Sequence, residues 1–266
     1  MKHIKLLCLT ASVIAICCLV LSCKNSKAAD TKEQVSVNQI EEQIGSSEMQ
    51  GYAVPGELKY VEEKTYEYEG REYPQYIVDK FYPIGWSKDG KFAYIEEPAD
   101  EAVGAYFFEF HILDLATGEE FFSWKPEEAP ETGDITQMWN DHKDMFTQKL
   151  SQAGIIQQKE FKLDGLDVPY IGQNQKVWME TTMDEDENGF SSGNVVKELQ
   201  VFQGTQQDNK VIFQKTHGQY DLVLEESLAG VFKSPYQNLG GAMVIYMARG
   251  YEGPPHVYHF YFLGVK

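Results

Sequence analysis

Residues able to do chemistry are grouped in several short stretches. In Asp184-Glu185-Asp186-Glu187-Asn188-Gly189, oxygen donors occupy alternate positions ahead of a glycine. That is the first half of a calcium loop, where positions one, three and five point inward around a glycine turn. The second half is missing. The twelfth position is Val195, where a bidentate glutamate belongs, and the ninth is Ser192. Asp184, Asp186 and Asn188 are therefore candidate metal ligands set against a simpler reading, an acidic turn between strands. Gly189-Phe190-Ser191-Ser192-Gly193 spells a nucleophile elbow. That pattern acts only at a strand-to-helix turn. Here it follows an acidic turn and precedes a strand, so it reads as coincidence. His256 and His259 are three apart on a stretch with strand composition, which sends them to opposite faces and leaves no two-histidine metal site. Glu96 and Glu97, adjacent on a strand end, diverge for the same reason. No phosphate-cradling glycine loop or dinucleotide fingerprint occurs, so no catalytic residue and no cofactor is expected.

The remaining candidates lie in two loops. Glu96 to Gly104 is acidic, with Glu96, Glu97, Asp100 and Glu101. Met247 to Pro255 carries Arg249, Tyr251 and Glu252, with His256 at its edge and Gly253-Pro254-Pro255 restricting the backbone. Rigid loops bearing aromatic and charged groups lose little entropy on binding. Arg249, Tyr251, Glu252 and His256 are thus the ligand-binding candidates. The competing reading makes this loop a tight connection with packing contacts.

Two similar units position these loops. The first starts at Gly85-Trp86-Ser87-Lys88-Asp89-Gly90-Lys91, a turn feeding the strand Phe92 to Ile95, and ends in a second strand, Tyr106 to Leu115. The second runs from Gly230-Val231-Phe232-Lys233-Ser234-Pro235 through Ala242 to Tyr246 and on to His256–Val265. Ala93 to Leu115 spans 22 positions, as does Met243 to Val265. The first turn resembles the turn-strand signature of β-propeller blades. Together with the late Gly250-Tyr251-Glu252-Gly253-Pro254, residues 80–266 resemble a bacterial family of predicted secreted proteins, domain of unknown function 2259. That resemblance implies a β fold and an exported location, and says nothing of activity.

The amino terminus supports export. Lys2 and Lys5 precede an apolar run from Leu6 to Leu21, too short to span a bilayer comfortably. Val20-Leu21-Ser22-Cys23 is similar to a lipobox, which implies lipidation at Cys23, a palmitate-type anchor and a signal peptide over 1–22. All four cysteines fall at or before Cys23. The body therefore has no disulfide, no thiolate metal site and no thiol nucleophile. The chain holds 23 basic and 41 acidic residues, a net −18. Its first 22 residues contain two lysines and no acid, so the remainder carries −20. Such a surface repels nucleic acid and anionic lipid. Residues 23–56 are polar and poor in aromatics, a tether, and 57–266 form one β-rich domain.

Within that domain Tyr66 and Tyr68 alternate with Glu67 and Glu69, a strand with one buried face, and Glu69-Gly70-Arg71 is a hairpin turn. One helix stands out. Asp134 caps it, Gln137 completes a capping box, and Gly154 ends it. Its apolar face takes Ile135, Met138, Trp139, His142, Phe146 and Leu150 or Ala153, with His142 as a core-edge residue. Strands are expected over Ile155–Leu163, Lys176–Met183, Val195–Gln203, Lys210–Thr216 and Tyr220–Leu224. The expected fold is mainly β with one principal helix, its antiparallel strands in an incomplete propeller-like or sandwich arrangement. The expected function is a membrane-anchored cell-envelope lipoprotein acting as a binding or structural module. Its expected partners are the membrane, through the lipid, and an envelope protein or small ligand, but no nucleic acid. The alternative is a secreted hydrolase with a carboxylate or metal-assisted site.

Overall fold

The computed structural model describes residues 51–100, 104–164, 176–185, 189, 193–205, 207–218, 220–251 and 254–266. In chain order the elements are β1 (Thr65–Tyr68), β2 (Arg71–Pro74), β3 (Tyr76–Val78), β4 (Lys80–Ser87), β5 (Lys91–Glu97), β6 (Glu109–Asp114) and β7 (Glu119–Trp124). Then come α1 (Ile135–Gln152), β8 (Ile155–Gln157), β9 (Lys176–Glu185), β10 (Asn194–Gly204), β11 (Asn209–Thr216), β12 (Val223–Lys233), β13 (Gly240–Ala248) and β14 (His256–Val265). Among the described residues the fold is mainly β with a single helix; its sheets are antiparallel apart from the β3–β14 pair, and none closes into a barrel.

Three sheets stack in succession. The first has the order β7-β6-β5-β4-β8, the second β12-β13-β14-β3 and the third β11-β10-β9. Strand pleating explains the stack, because alternate side chains face opposite layers. Ala93 and Ile95 join Met138, Trp139, Phe146 and Leu150 of α1 in one core. Phe92 and Tyr94 turn the other way and meet Met243, Ile245 and Phe260 of the second sheet. Ala242 and Val244, on that sheet's far side, pack on Val177, Leu199 and Val201 of the third. Both units are hairpins, β5–β6 and β13–β14, each central to its sheet. Equivalent positions face the same way along the stack: Ala93 and Met243 towards α1, Phe92 and Ala242 towards the third sheet. The layers thus stack in one sense rather than facing each other as mirror images. Phe81 is the central block, ringed by Phe92, Tyr94, Phe232, Phe260 and Phe262 at centroid distances of 5.1–6.5 Å.

Local signals act as expected in the helix and the first turn. Asp134 accepts from the Gln137 amide at 2.8 Å, and Gly154 takes φ 69° just past the last turn. His142 lies at the core edge, its ring 4.4 Å from that of Trp124. Glu69 and Gly70 both take positive φ, 52° and 72°, the two-residue turn whose twist suits a hairpin.

Four expectations need correction. The tyrosine strand has no buried face: every residue of β1 and β2 is exposed, because no layer covers this hairpin. Tyr220 to Leu224 is not a strand. Leu222 sits at φ 44°, and β12 begins at Val223 and continues through Gly230. Glycine at 230 allows that passage, since a Cβ there would lie 2.6 Å from the Leu163 side chain. The strand from Ile155 stops at Gln157. Residues 51–56, assigned above to the tether, lie against the body: Tyr52 is buried in the helix-side core and donates to the Ile155 carbonyl at 2.7 Å.

Candidate functional site

The first unit's loop meets the start of the second unit's last strand, β14, at one corner, and Asp79 holds that corner together. The residue follows β3, which runs parallel to β14 with Val78 opposite Tyr258. Asp79 donates its amide to the Tyr258 carbonyl at 2.9 Å. Its carboxylate accepts from the Ala99 amide at 2.8 Å and pairs with His259 Nδ1 at 2.8 Å. Its carbonyl accepts from Tyr60 Oη at 2.6 Å. Asp79 is only 2% exposed, and a carboxylate so deep is tolerable only with such partners.

A groove of about 420 Å³ opens beside it. Leu58, Tyr60, Val61, Ile77, Val78, Ala99 and Tyr106 supply apolar wall, and Asp79 is part of the lining. Ion pairs of Lys80 with Glu97 and of Lys59 with Glu63 belong to the same lining. Glu97 also accepts from Tyr82 Oη at 2.9 Å and Tyr106 Oη at 3.0 Å, which stiffens the loop after β5. Burial and the Glu97 carboxylate push both phenols up. Asp100 accepts from the Ala105 amide at 2.9 Å, drawing that loop back on itself.

Glu96 points the other way, as adjacent strand residues must. Burial first, then the charges of Asp79 and Glu109, push its carboxyl up to about 7, against the pull of His111 and His259. His111 stacks on Tyr94 at 4.9 Å and bonds Glu120 through Nδ1 at 2.8 Å. Burial alone would lower its proton affinity, but Glu109, Glu120 and Glu96 outweigh it and raise it. A third histidine–carboxylate pair joins the second and third sheets: His217 Nε2, just after β11, meets Glu226 Oε1 of β12 at 2.8 Å, both side chains buried. Tyr246 stands between the pairs, opposite Glu226 on one side and His259 on the other.

Among the described residues, the predicted ligand residues do not line this groove. Tyr251 projects at 83% exposure. Arg249 is half-buried, its amide donating to the Leu222 carbonyl at 3.0 Å and its Nη1 to the Gly250 carbonyl at 3.3 Å. His256 Nδ1 accepts from the Gly250 amide at 3.3 Å, a structural contact. His259, two strand positions on from Val257, joins Asp79 instead. Glu252 lies outside the described residues, as do Cys23, Asp186, Asn188 and the Ser191 of the elbow pattern. Asp184 is exposed on β9 opposite Val195 and caps the Glu185 amide at 2.9 Å. Among the described residues, no group of three or more histidines, cysteines or carboxylates is arranged to hold a metal ion.

Sequence reasoning missed Asp79. The available signal was a charged residue inside the run Ile77-Val78-Asp79-Lys80-Phe81-Tyr82, since a charge among buried strand residues needs partners. What the corner offers chemically is recognition: an aromatic wall, a fixed carboxylate and rim charges of both signs. Compared with protein-family models, curated proteins and solved structures, the chain finds no match.

Proposed function

We propose that this chain is a lipid-anchored protein of the bacterial cell envelope whose folded body is a binding module, with the groove beside Asp79 as its ligand site. One observation carries the binding reading: the first loop and β3 are tied to Asp79 so that a preformed, aromatic-walled groove stays open. Preformed concave sites with few polar groups are the usual form of ligand pockets. The anchor is supported by the lipobox-like Val20-Leu21-Ser22-Cys23 behind an apolar run, and two or more acyl chains suffice for stable attachment. No helix among the described residues is long and apolar enough to cross a membrane. The acidic balance favours neutral or cationic ligands.

Two experiments test the two halves. Cys23→Ala should abolish labelled-palmitate uptake and move the protein into soluble fractions; retention at the membrane without label in the wild type contradicts the anchor. For the groove, the probes are N-acetylglucosamine, trialanine and free lysine, followed by amide chemical shifts. Shifts should centre on Leu58, Val61, Ile77 and Ala99 and vanish in Ala99→Trp. Shifts that persist in that variant, or none with any probe, contradict the site.

A second reading, a secreted hydrolase, draws on Glu96, whose carboxyl is held near neutrality beside the Asp79–His259 pair. Such a carboxyl is suited to general acid catalysis. Glu96 does not line the groove, which places binding first. Turnover of p-nitrophenyl esters or glycosides, lost in Glu96→Gln, would reverse that order.

A further inference from the structure

We propose that the groove takes an extended peptide, which adds as a strand to the free edge of β3 and pairs with the main chain of Tyr76 and Val78. This rests on the groove being the ligand site and names the ligand class for it. On its inner edge β3 pairs in parallel with β14. The Gln75 carbonyl accepts from the His256 amide at 3.4 Å, and the Asp79 amide donates to the Tyr258 carbonyl at 2.9 Å. Between these bonds Ile77 is the residue that turns both its amide and its carbonyl to β14. Backbone groups alternate sides along a strand, so those of Tyr76 and Val78 turn outward. Among the described residues, no hydrogen bond reaches the amide or carbonyl of either one. Tyr76, Ile77 and Val78 are all half-buried and all line the groove. Unpaired main-chain groups on a sheet edge are a template for another strand.

The chain's own neighbouring segment does not fill that edge. Residues 58–64 run antiparallel to 75–81 and are tied to them at both ends. The Leu58 amide donates to the Phe81 carbonyl and the Gln75 amide to the Lys64 carbonyl, each at 2.8 Å. The register set by these ties places Tyr60 opposite Asp79 and Glu62 opposite Ile77, whose amides are already given to β14. Phenols therefore span the gap in place of main-chain bonds: Tyr60 Oη donates to the Asp79 carbonyl at 2.6 Å, and Tyr76 Oη to the Glu62 carbonyl. Strand addition takes affinity from main-chain bonds and specificity from pockets for alternate side chains. Here those pockets are the apolar wall of Leu58, Val61, Ala99 and Tyr106. Glu63 and Glu97 already hold Lys59 and Lys80, and Asp79 holds His259, so the matching peptide brings no charge.

The test uses the full chain and an acetylated, amidated pentapeptide of alternating threonine and valine. Two further versions are N-methylated, one at the valine amides and one at the threonine amides. Native-state hydrogen exchange gives the first readout. Without peptide, the Ile77 amide should exchange slowly and those of Tyr76 and Val78 faster. Saturating peptide should slow Tyr76 and Val78 about tenfold or more and leave Ile77 unchanged. The valine amides lie on one edge of the extended peptide and the threonine amides on the other, so one methylated version should lose binding and the other keep it. Val78→Pro removes one outward amide and spares the bonds to β14, a change that an edge strand tolerates; it should weaken the peptide about tenfold. Strand addition is overturned, with the groove left standing, if the peptide binds without slowing Tyr76 and Val78, if both methylated versions bind as well as the parent, or if N-acetylglucosamine gives groove shifts and the peptide none. If neither the peptide nor any other probe shifts the groove amides, the groove itself fails, and strand addition with it.

Discussion

The loop after β5 and the loop after β13 close equivalent hairpins, yet one is clamped and the other projects. Ala99 is held by the Asp79 carboxylate, and Glu97 collects two tyrosine hydroxyls and Lys80. The second loop is braced at its base by Arg249 and His256, while Tyr251 stands out at 83% exposure. The scaffolds are alike because the pleat and the turn residues are alike. The loops differ because a single buried carboxylate, inserted between the two sheets, bonds to the first loop's backbone and to the second unit's strand. A repeated scaffold thus leaves function to what is added at its corner.

The largest test concerns what the two units share. Phe81→Ala should cost about 3–5 kcal/mol in denaturant unfolding, since a buried ring contacting both sheets leaves a cavity. A loss below about 1 kcal/mol would mean the units do not depend on a common core.

Glu96 provides a pH test of the clamped side. Its carboxyl is raised from 4.5 to about 7. Between those values the folded protein keeps a proton that the unfolded chain has released, so stability is full below pH 4.5 and falls as pH rises through 7. The loss is on the order of 3 kcal/mol. His111, also raised, acts in the same direction, and Glu109, lowered chiefly by its bond to His111, acts oppositely at lower pH. The difference between wild type and Glu96→Gln isolates the glutamate: the variant should gain stability at pH 8 and lose the slope. Parallel curves would contradict the buried setting.

A smaller effect is expected at the clamp itself. Asp79→Ala strands the Ala99 amide and the His259 ring and should cost about 2 kcal/mol. Smallest is Tyr251→Ala on the projecting side, which should change stability by less than about 0.5 kcal/mol. A larger loss would show that the second loop is also a structural clamp.

Much of this comparison was legible beforehand in the units themselves. Turn glycines, strand alternation and the Asp134 cap are local, and each acts over a few residues. Asp79 was not legible, because its meaning comes from His259, 180 positions away, and from a parallel β3–β14 pairing that no hairpin pattern announces. Glu96 was read as part of an acidic loop and as diverging from Glu97, which it does. Its raised proton affinity depends on the layer above it. The tyrosines of β1 and β2 have the right alternation for a buried face, but alternation does not say whether another layer exists to cover it. Gly230 was read as a lead-in to the second unit, whereas a strand passes through it wherever Leu163 must come close.

Native-state hydrogen exchange tests the central claim most directly, namely that Asp79 makes the first loop into a groove wall. The Ala99 amide should be strongly protected in the wild type. In Asp79→Ala, Ala99 should lose its protection together with the probe-induced shifts at Leu58 and Ile77. An unprotected Ala99 amide in the wild type, or a groove that binds its probes equally well without Asp79, would contradict the account.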